Sequence, residues 1–543
     1  MRWKPILPAI LVVAGVAVLT SMAATSPVRD LTPPGRHGPA ESDVLVVAAE
    51  VDQRLLSSLK TTSLSPAERA DDLTILRRLT LALMGTIPSL EEIRRFESDD
   101  RPDRLAIWTN AILDDPRFHN YFAERLARAF VGVEGGQFII FRRDRFTNWL
   151  SEQLRDSVPY DRMVRSMLAE DGVWTDRAAV NYVTAGVANE EFDANKLAGR
   201  TVRAFLGQRI DCAQCHNHPF AHWKQSEFEG LAACFGQLDY TMVGVVDRPG
   251  KKFEVEDRET LEKRQVTPQV PFHPEWCGTR GSPRDRLAEW VTHPENRRFE
   301  RASVNRIWGL IFGQPFLTER SVDDLPDPDD PTFQEQTAVL DLLGADFRTH
   351  RYQLKRLIRV ITSTEAFRRS SGHAVHEPAQ LSELESQWAI FPLCRLRPEQ
   401  VIGAMLQSNS VKTIDQNSHL FTRAIRFFRE NDYVKQYGDP GEAELDQRTA
   451  TITQTLLNMN GEFAREMSEV GPFSTPGTIR QFSPSRAVLL DNVYLTCLTR
   501  RPTEAERAHF APQLGSPPKQ PDQQVLEDIF WTLYNSPEFT WNH

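Results

Sequence analysis

Leu73-Thr-Ile-Leu76-Arg-Arg-Leu79-Thr-Leu-Ala-Leu83 carries leucines at three- and four-residue spacing. Side chains at this spacing lie on one face of an α-helix, so the four numbered leucines predict a helix with a buried stripe. A second set has the same spacing: Phe146, Trp149, Leu150 and Leu154. Both sets are typical of core packing, and they predict a mainly α-helical protein.

Helix N-termini are marked by capping boxes, in which Ser or Thr is followed three residues later by Glu. The predicted boxes are Ser65 with Glu68, Ser89 with Glu92, Ser226 with Glu229, Thr332 with Glu335, and Thr503 with Glu506. Pro66 strengthens the first box, because proline is favoured at the first helical position. Signals for helix N-termini therefore occur along most of the chain.

The predicted architecture is two helical domains joined by a short irregular connection that contains β-structure. Near residue 240 the helical spacing of apolar residues stops. Val243–Val246 and Phe253–Val255 resemble short strands. The predicted boundaries are 45–240 for the first helical domain, 241–283 for the connection and 284–543 for the second helical domain.

The composition is that of an ordinary globular protein, with 40% hydrophobic and 25% charged residues among 543. This excludes collagen-like, coiled-coil and wholly disordered chains. There are 64 Lys and Arg against 74 Asp and Glu, and the basic residues are scattered along the chain. A nucleic-acid partner is therefore not expected.

The N-terminus predicts export. Arg2 and Lys4 precede the apolar stretch Ile6–Leu19, and Ser21-Met-Ala23 is a small-x-small cleavage site. Residues 1–23 are therefore predicted to be a signal peptide, and the Pro- and Gly-rich residues 24–44 a flexible tether. Export predicts a periplasmic or cell-surface location. The alternative is an uncleaved segment that anchors the chain in the membrane.

Cys212-Ala-Gln-Cys215-His216 has the C-x-x-C-H pattern of c-type haem attachment. Each thiol can form a thioether to one haem vinyl edge, and His216 then lies below the iron as proximal ligand. Haem attachment in bacteria takes place outside the cytoplasm, which agrees with predicted export. A second strong axial ligand would indicate electron transfer, and Met242 and His222 are the nearest candidates.

Two other interpretations of this segment remain open. Cys212, Cys215, His218 and His222 fit the C-x2-C-x2-H-x3-H spacing of a tetrahedral zinc site. The other interpretation is a Cys212–Cys215 disulfide, with the histidines in packing roles. The neighbouring aromatic residues would either line a haem or form the buried face of the following helix. They are Phe220, Trp223, Phe228 and Phe235.

Two further clusters carry polar side chains. Residues 323–330 hold five carboxylates, which suit either a solvated turn or a hard cation such as Ca²⁺. In Asn305-Arg306-x-Trp308, the favoured role of Arg306 is the buried partner of a carboxylate, and the alternative is part of an anion site.

Several longer motifs extend these observations. They are Arg77-Arg78-Leu79-Thr-Leu81-x-Leu83-x-Gly85-x-x-Pro88-x-x-Glu91-Glu92, Cys212-Ala-Gln-Cys215-His216-Asn-His218-Pro-Phe220, Arg286-Leu287-Ala288-Glu289-Trp290, Val304-Asn305-Arg306-x-Trp308-x-x-x-Phe312-Gly313 and Asn535-Ser536-x-Glu538-Phe539. Together they resemble a planctomycete cytochrome-c-like family of unknown function, whose members pair a DUF1549 domain with a DUF1553 domain. The resemblance implies an exported protein that has no established activity.

The sequence therefore predicts a c-type haem on Cys212, Cys215 and His216 that serves electron transfer, with an unidentified extracytoplasmic redox or binding partner. One alternative is a binding or scaffold protein without redox activity, either stabilised by zinc or purely structural. Another is a hydrolase of polymers, which needs two facing carboxylates, and the sequence selects no such pair. It assigns no catalytic residue.

Overall fold

The structure is a computed structural model. It describes residues 42–59, 64–133, 141–173, 175–188, 191–219, 222–241, 244–256, 261–375, 377–414, 461–472, 474–515 and 520–543, and, between 433 and 459, residues 433, 434, 436–438, 441, 445, 454, 456 and 459. The predicted signal peptide, nearly all of the predicted tether, Phe220 and Met242 lie outside the described residues.

Helices dominate both halves of the chain, as the leucine spacing predicts. In the first half they are α1 (Ser42–Leu59), α2 (Asp72–Met84), α3 (Leu90–Glu97), α4 (Arg104–Asp114), α5 (Pro116–Val131), α6 (Arg143–Arg155), α7 (Tyr160–Ala169), α8 (Asn181–Thr184), α9 (Ala194–Leu206) and α10 (Gln225–Ala233). In the second half they are α11 (Pro283–Val291), α12 (Arg297–Phe312), α13 (Gln334–Thr349), α14 (Leu354–Ser363), α15 (Glu365–Arg368), α16 (Pro378–Ser386), α17 (Pro398–Ser408), α18 (Glu462–Ser468), α19 (Thr475–Phe482), α20 (Arg486–Leu498), α21 (Glu504–Phe510), α22 (Gln523–Tyr534) and α23 (Pro537–Thr540). Short 3₁₀ helices lie at Ala178–Val180, Asp211–Gln214, Pro274–Trp276 and Pro331–Phe333. Across the part of the chain that the structure describes, no helix combines the length and apolar character needed to cross a bilayer.

The strands of the described residues form small antiparallel pairs. β1 (Val187–Ala188) pairs with β2 (Glu191–Phe192), β3 (Leu238–Thr241) with β4 (Gly244–Asp247), β5 (Phe253–Glu256) with β6 (Lys263–Val266), and β7 (Cys394–Arg395) with β8 (Trp541–Asn542). β4 and β5 confirm the two strands predicted in the connection. The prediction of a mainly α-helical protein with a β-containing connection is therefore confirmed.

The leucine-rich stretch forms α2, which begins and ends at residues suited to those positions. The Asp71 carboxylate accepts hydrogen bonds from the N–H groups of Leu73 and Thr74, each at 3.0 Å. At the other end Gly85 adopts a left-handed φ of 65°. The predicted stripe faces the main core, where three of its leucines are fully buried and Leu73 is partly buried. α2 packs against α4, α5 and α12.

The main hydrophobic core is built from both predicted domains. It runs from side chains of α1 and α2 to those of α12, α13 and α14. α1 packs against α13 and α14, α7 against α11, and α9 against α12. A second core joins Leu81 and Ile87 to α17, α20 and α22. Contacts between residues far apart in sequence therefore hold the two regions together, and the domain boundaries stay a prediction.

Two of the predicted capping boxes are confirmed and the one at Ser65 is wrong. At Ser89 and Thr503 the hydroxyl accepts the N–H of the third helical residue, and the glutamate there accepts the cap N–H. Ser65 starts no helix, because residues 67–70 form backbone hydrogen bonds with 368–370 and 389. The helix begins only at Asp72.

The boxes at Ser226 and Thr332 are also wrong. α10 begins at Gln225 after Lys224, so Ser226 lies inside the helix, and Glu229 is buried in an ion pair with Arg264. Thr332 lies inside the 3₁₀ helix at 331–333, and its N–H donates to the Asp330 carboxylate at 2.9 Å. In both places a neighbouring side chain satisfies the helix terminus that the predicted cap was expected to serve.

Candidate functional site

The C-x-x-C-H segment lies in the connection between α9 and α10. α9 ends at Gly207, which has a left-handed φ of 63°. A Cβ at this position would lie 2.9 Å from Leu325 Cδ1 and 3.1 Å from Ala302 Cβ. Glycine is therefore required both for the backbone conformation and for the close approach of the second half of the chain. Beyond this turn, buried Ile210 leads into the 3₁₀ helix at 211–214.

One buried residue anchors this 3₁₀ helix and leaves the reactive side chains outside. Ala213 is fully buried, whereas Cys212, Cys215 and His216 are exposed. The N–H groups of Cys215 and His216 approach the carbonyl oxygen of Cys212 at 3.3 and 3.5 Å. The turn thus presents both thiols and the imidazole to solvent from one short loop. Both cysteines are free thiols in the structure.

The backbone orients the imidazole of His216. Its Nδ1 lies 2.7 Å from the carbonyl oxygen of Asn217. Because a carbonyl oxygen only accepts, this hydrogen bond assigns a proton to Nδ1, and the lone pair of the neutral imidazole then lies on Nε2. A neutral imidazole held in this way binds a metal through Nε2. Two exposed thiols followed by this imidazole are a donor set that suits covalent haem attachment with axial ligation.

The loop is fastened to the start of α10 by two hydrogen bonds, and a third caps the helix at that point. The Asn217 side-chain oxygen accepts the N–H of Gln225 at 3.0 Å, and the N–H of His218 donates to the carbonyl of Trp223 at 2.8 Å. The N–H of Lys224 donates to the Glu227 carboxylate at 2.8 Å. Since the Trp223 side chain is buried in the main core, the loop is held at both ends.

The four predicted zinc ligands are not brought together. Cys212, Cys215, His218 and His222 all belong to the described residues, yet no group of three or more His, Cys, Asp or Glu placed to hold a metal ion occurs there. His218 is partly buried, whereas the other three side chains are exposed. Within the described part of the loop these side chains do not form the convergent donor set of a tetrahedral zinc site, and the zinc interpretation stays a prediction.

The neighbouring aromatic residues pack into the core instead of lining the exposed loop. Phe228 and Phe235 are 2% and 1% exposed, and both belong to the main core together with Trp223. These residues were expected either to line a haem or to form the buried face of the following helix. The structure supports the second role. Phe220 is outside the described residues.

The acidic run at 323–330 lies beside the same loop and is bound by arginines. Asp323 forms an ion pair with buried Arg306, and Asp327 accepts a hydrogen bond from Arg298 at 2.7 Å. The interpretation of Arg306 as a buried carboxylate partner is confirmed. Among the residues that the structure describes, these carboxylates form no cation site.

His222 brings the end of the motif segment close to this acidic run. Burial alone would raise the pKa of Asp327, but the Asp329 N–H, Arg298 and nearby His222 together lower it below the usual range. The N–H of Leu325 also donates to the carbonyl of Gly207 at 2.8 Å. The motif segment therefore lies where the two predicted domains meet.

Sequence reasoning missed the positioning roles of Gly207 and Asn217. A glycine at the end of a helical pattern is a typical C-cap signal, and it would have indicated that α9 ends at 207. Asn217 lies eight positions before Gln225, so its contact with the start of α10 has no local sequence signal.

Two family models match this chain one after the other. Residues 50–240 match PSCyt2, described as a protein of unknown function (DUF1549). Residues 283–514 match PSD1, described as a protein of unknown function (DUF1553). No curated protein and no solved structure matches the chain. The predicted pairing of these two domains is confirmed, and the cytochrome-c-like label stays a prediction.

Proposed function

The chain joins a DUF1549 domain to a DUF1553 domain, and on this premise we propose that it is an exported electron-transfer protein with one c-type haem. Cys212 and Cys215 would hold the haem covalently, and His216 would be its proximal ligand. The observation that carries the proposal is the exposed loop, in which two free thiols precede an imidazole whose Nδ1 donates to a backbone carbonyl.

The accessibility of the two thiols distinguishes them from other cysteines of the chain. Cys234, Cys394 and Cys497 are buried, and burial raises the pKa of Cys234 to about 12. A thiol must be exposed and able to reach its thiolate form to react. Covalent modification is therefore expected at Cys212 and Cys215 and not at the three buried cysteines.

Different residues of the loop would contribute to haem binding in different ways. Ala213 anchors the turn in the core, and the Asn217 carbonyl fixes the His216 ring with Nε2 available as ligand. Asn217 also fastens the loop to α10 through its side chain. When bound, haem supplies one-electron oxidation and reduction of its iron. Exposed His222 is the described candidate for a second axial ligand.

The proposed location follows from the same chemistry. Covalent haem attachment in bacteria takes place outside the cytoplasm, and residues 1–23 have the pattern of an export signal. We therefore place the protein in the periplasm or at the cell surface, where it exchanges electrons with an extracytoplasmic partner.

The test is the absorption spectrum and denaturing haem stain of the full chain, exported in a host with cytochrome c maturation machinery. The proposal predicts a Soret band and a stained polypeptide for the natural sequence. Both signals are lost in the Cys212→Ala/Cys215→Ala variant. Cys277→Ala is the matched control, because this partly exposed free cysteine lies outside the motif, and it retains both signals.

A colourless natural protein from a host that loads a control cytochrome would overturn the proposal. Metal analysis of that sample then separates the remaining alternatives. One zinc ion per chain, lost in the double cysteine variant, would identify a zinc-stabilised binding protein. Absence of both haem and zinc would identify a structural scaffold role for the loop.

A further inference from the structure

A second cluster of polar side chains lies at the turn between α13 and α14. A cavity of about 400 Å³ opens there, and five basic residues line it. They are His350, Arg351, Lys355, Arg356 and Arg359. The other described residues of the lining are neutral and polar, so the described wall of the cavity includes neither a carboxylate nor an apolar side chain.

The three neutral residues add hydrogen-bonding groups to the same cavity. They are Ser157, Thr349 and Gln353. Gln353 is the N-cap residue of α14, and its side chain makes no capping hydrogen bond. The N–H groups in the first turn of this ten-residue helix contribute positive potential near the cavity.

Three of the basic residues are held in place by carboxylates outside the lining. The Lys355 ammonium lies 3.0 Å from Asp114. One Asp346 oxygen lies 2.9 Å from Arg356 and 3.1 Å from His350. Such pairs fix the direction of the side chains and neutralise part of their charge.

Arg351 and Arg359 differ from these three. Within the described part of the chain neither forms an ion pair, and the Arg359 Nε donates to the neutral oxygen of Asn110 at 2.7 Å. Two guanidinium groups thus bring charge to the cavity that no carboxylate of the described residues pairs with. A guanidinium matches the geometry of phosphate and sulfate oxygens, which it binds through two parallel hydrogen bonds.

We infer that this cavity binds a small polar molecule that carries a phosphate or sulfate group. The anion lies against Arg351 and Arg359, and Ser157, Thr349 and Gln353 contact the remainder of the molecule. A volume of about 400 Å³ exceeds the space that a bare oxyanion needs and falls in the range of small-molecule sites. The polar lining favours a hydroxylated molecule, such as a single-ring sugar ester, over an apolar one.

The test is isothermal titration of the full chain with inorganic phosphate, inorganic sulfate, glucose 6-phosphate and glucose at low ionic strength. The expected result is binding of at least one of the three anions and no binding of glucose. The Arg351→Gln/Arg359→Gln variant should weaken anion binding by at least about tenfold, because charge-assisted hydrogen bonds are lost. Tighter binding of glucose 6-phosphate than of phosphate would identify an ester, and equal binding a free oxyanion.

The matched control is Arg54→Gln/Arg320→Gln, which removes the same charge from exposed Arg54 and partly buried Arg320, two residues that line a different cavity. It should leave anion affinity unchanged. Equal weakening by both double variants would show that only overall charge matters, and would overturn the inference. So would the absence of anion binding to the natural chain, or equal binding of glucose. Because Arg351 is exposed, we expect Arg351→Gln alone to preserve the fold and to weaken anion binding as well.

Discussion

Two polar motifs of this chain occupy opposite environments. Arg77 and Arg78 lie on α2 and are 1% and 0% exposed, whereas Cys212, Cys215 and His216 lie on a surface loop. Both motifs contribute to the family resemblance, so the sequence gives them similar weight. The difference in burial indicates different roles. The arginines form hydrogen bonds inside the protein, whereas the loop exposes its side chains to solvent.

The buried arginines donate hydrogen bonds to backbone carbonyls of the second half of the chain. Arg77 Nη1 donates to the carbonyl of Cys497 at 3.1 Å. Arg78 donates to the carbonyls of His543 and Arg369, each at 2.7 Å. Burial lowers the pKa of Arg78 to about 9, yet the group remains protonated at neutral pH and keeps its donors. These bonds connect the first half of the chain with its C-terminal part.

Replacing the buried guanidinium should have the largest effect on stability. Arg78→Ala leaves the carbonyls of Phe367, Arg369 and His543 without this donor and removes the stacking partner of Phe391. We expect the free energy of unfolding to fall by at least about 3 kcal/mol in urea denaturation. In contrast, Arg54→Ala on the surface should cost less than about 0.5 kcal/mol. Similar losses for the two variants would contradict the assignment of Arg78 to the interior network.

A buried ion-pair network around Glu399 predicts that stability depends on pH. Burial alone would raise the pKa of Glu399, but the charges of Arg125 and Arg128 lower it to about 2. The carboxylate therefore stabilises the fold fully above its unfolded pKa, near 4.5, and this stabilisation is lost as the pH falls toward 2. Between pH 7 and pH 3 the loss should be about 2 kcal/mol.

Glu399→Gln tests this dependence, because the variant cannot titrate at that position. It should be less stable than the natural protein at pH 7, and its stability should fall by about 2 kcal/mol less between pH 7 and pH 3. Urea denaturation at both pH values measures the difference. Parallel stability curves for the two proteins would show that Glu399 is not a strongly paired carboxylate.

Within the exposed loop, two adjacent positions should respond differently to the same change. Ala213 is fully buried and Gln214 is exposed. Ala213→Leu overpacks the core below the motif and should reduce the free energy of unfolding by about 2 kcal/mol. Gln214→Leu should change it by less than about 0.5 kcal/mol. If the two variants were equally stable, the loop would not be anchored through Ala213.

The smallest predicted effect concerns the fastening of the loop to α10. Asn217→Ala removes the acceptor for the N–H of Gln225 and should cost about 1 kcal/mol of stability. Ser226→Ala is the control, since Ser226 lies inside the helix and not at its N-cap. Thermal unfolding of both variants measures the contrast. A larger loss for Ser226→Ala would restore the capping box predicted from the sequence.

Local patterns predicted local structure well. The leucine spacing identified α2, and the boxes at Ser89 and Thr503 identified the starts of α3 and α21. The Ser65 box failed because distant backbone at 368–370 and 389 pairs with this segment. A contact with partners about 300 positions away leaves no trace in a window of four residues, so tertiary pairing overrode the local signal.

The same reason limits what the sequence says about the sites. C-x-x-C-H is contiguous, so its residues could be found, whereas the exposure of its thiols depends on how Ala213 packs. The basic cavity was missed. Its signal lies in the i, i+4 spacing of Lys355 and Arg359, which places both on one helix face. The pairing of Asp346 with Arg356 and of Asp114 with Lys355 is visible only in three dimensions.

The most direct test of the central claim is the mass of the peptide that contains Cys212 and Cys215, taken from protein exported with c-type cytochrome maturation machinery. We predict that this peptide carries one haem bound through both cysteines, and that the peptide containing Cys277 is unmodified. An unmodified motif peptide with two free thiols, beside a fully loaded control cytochrome from the same cells, would contradict the claim that the exposed loop is a haem attachment site.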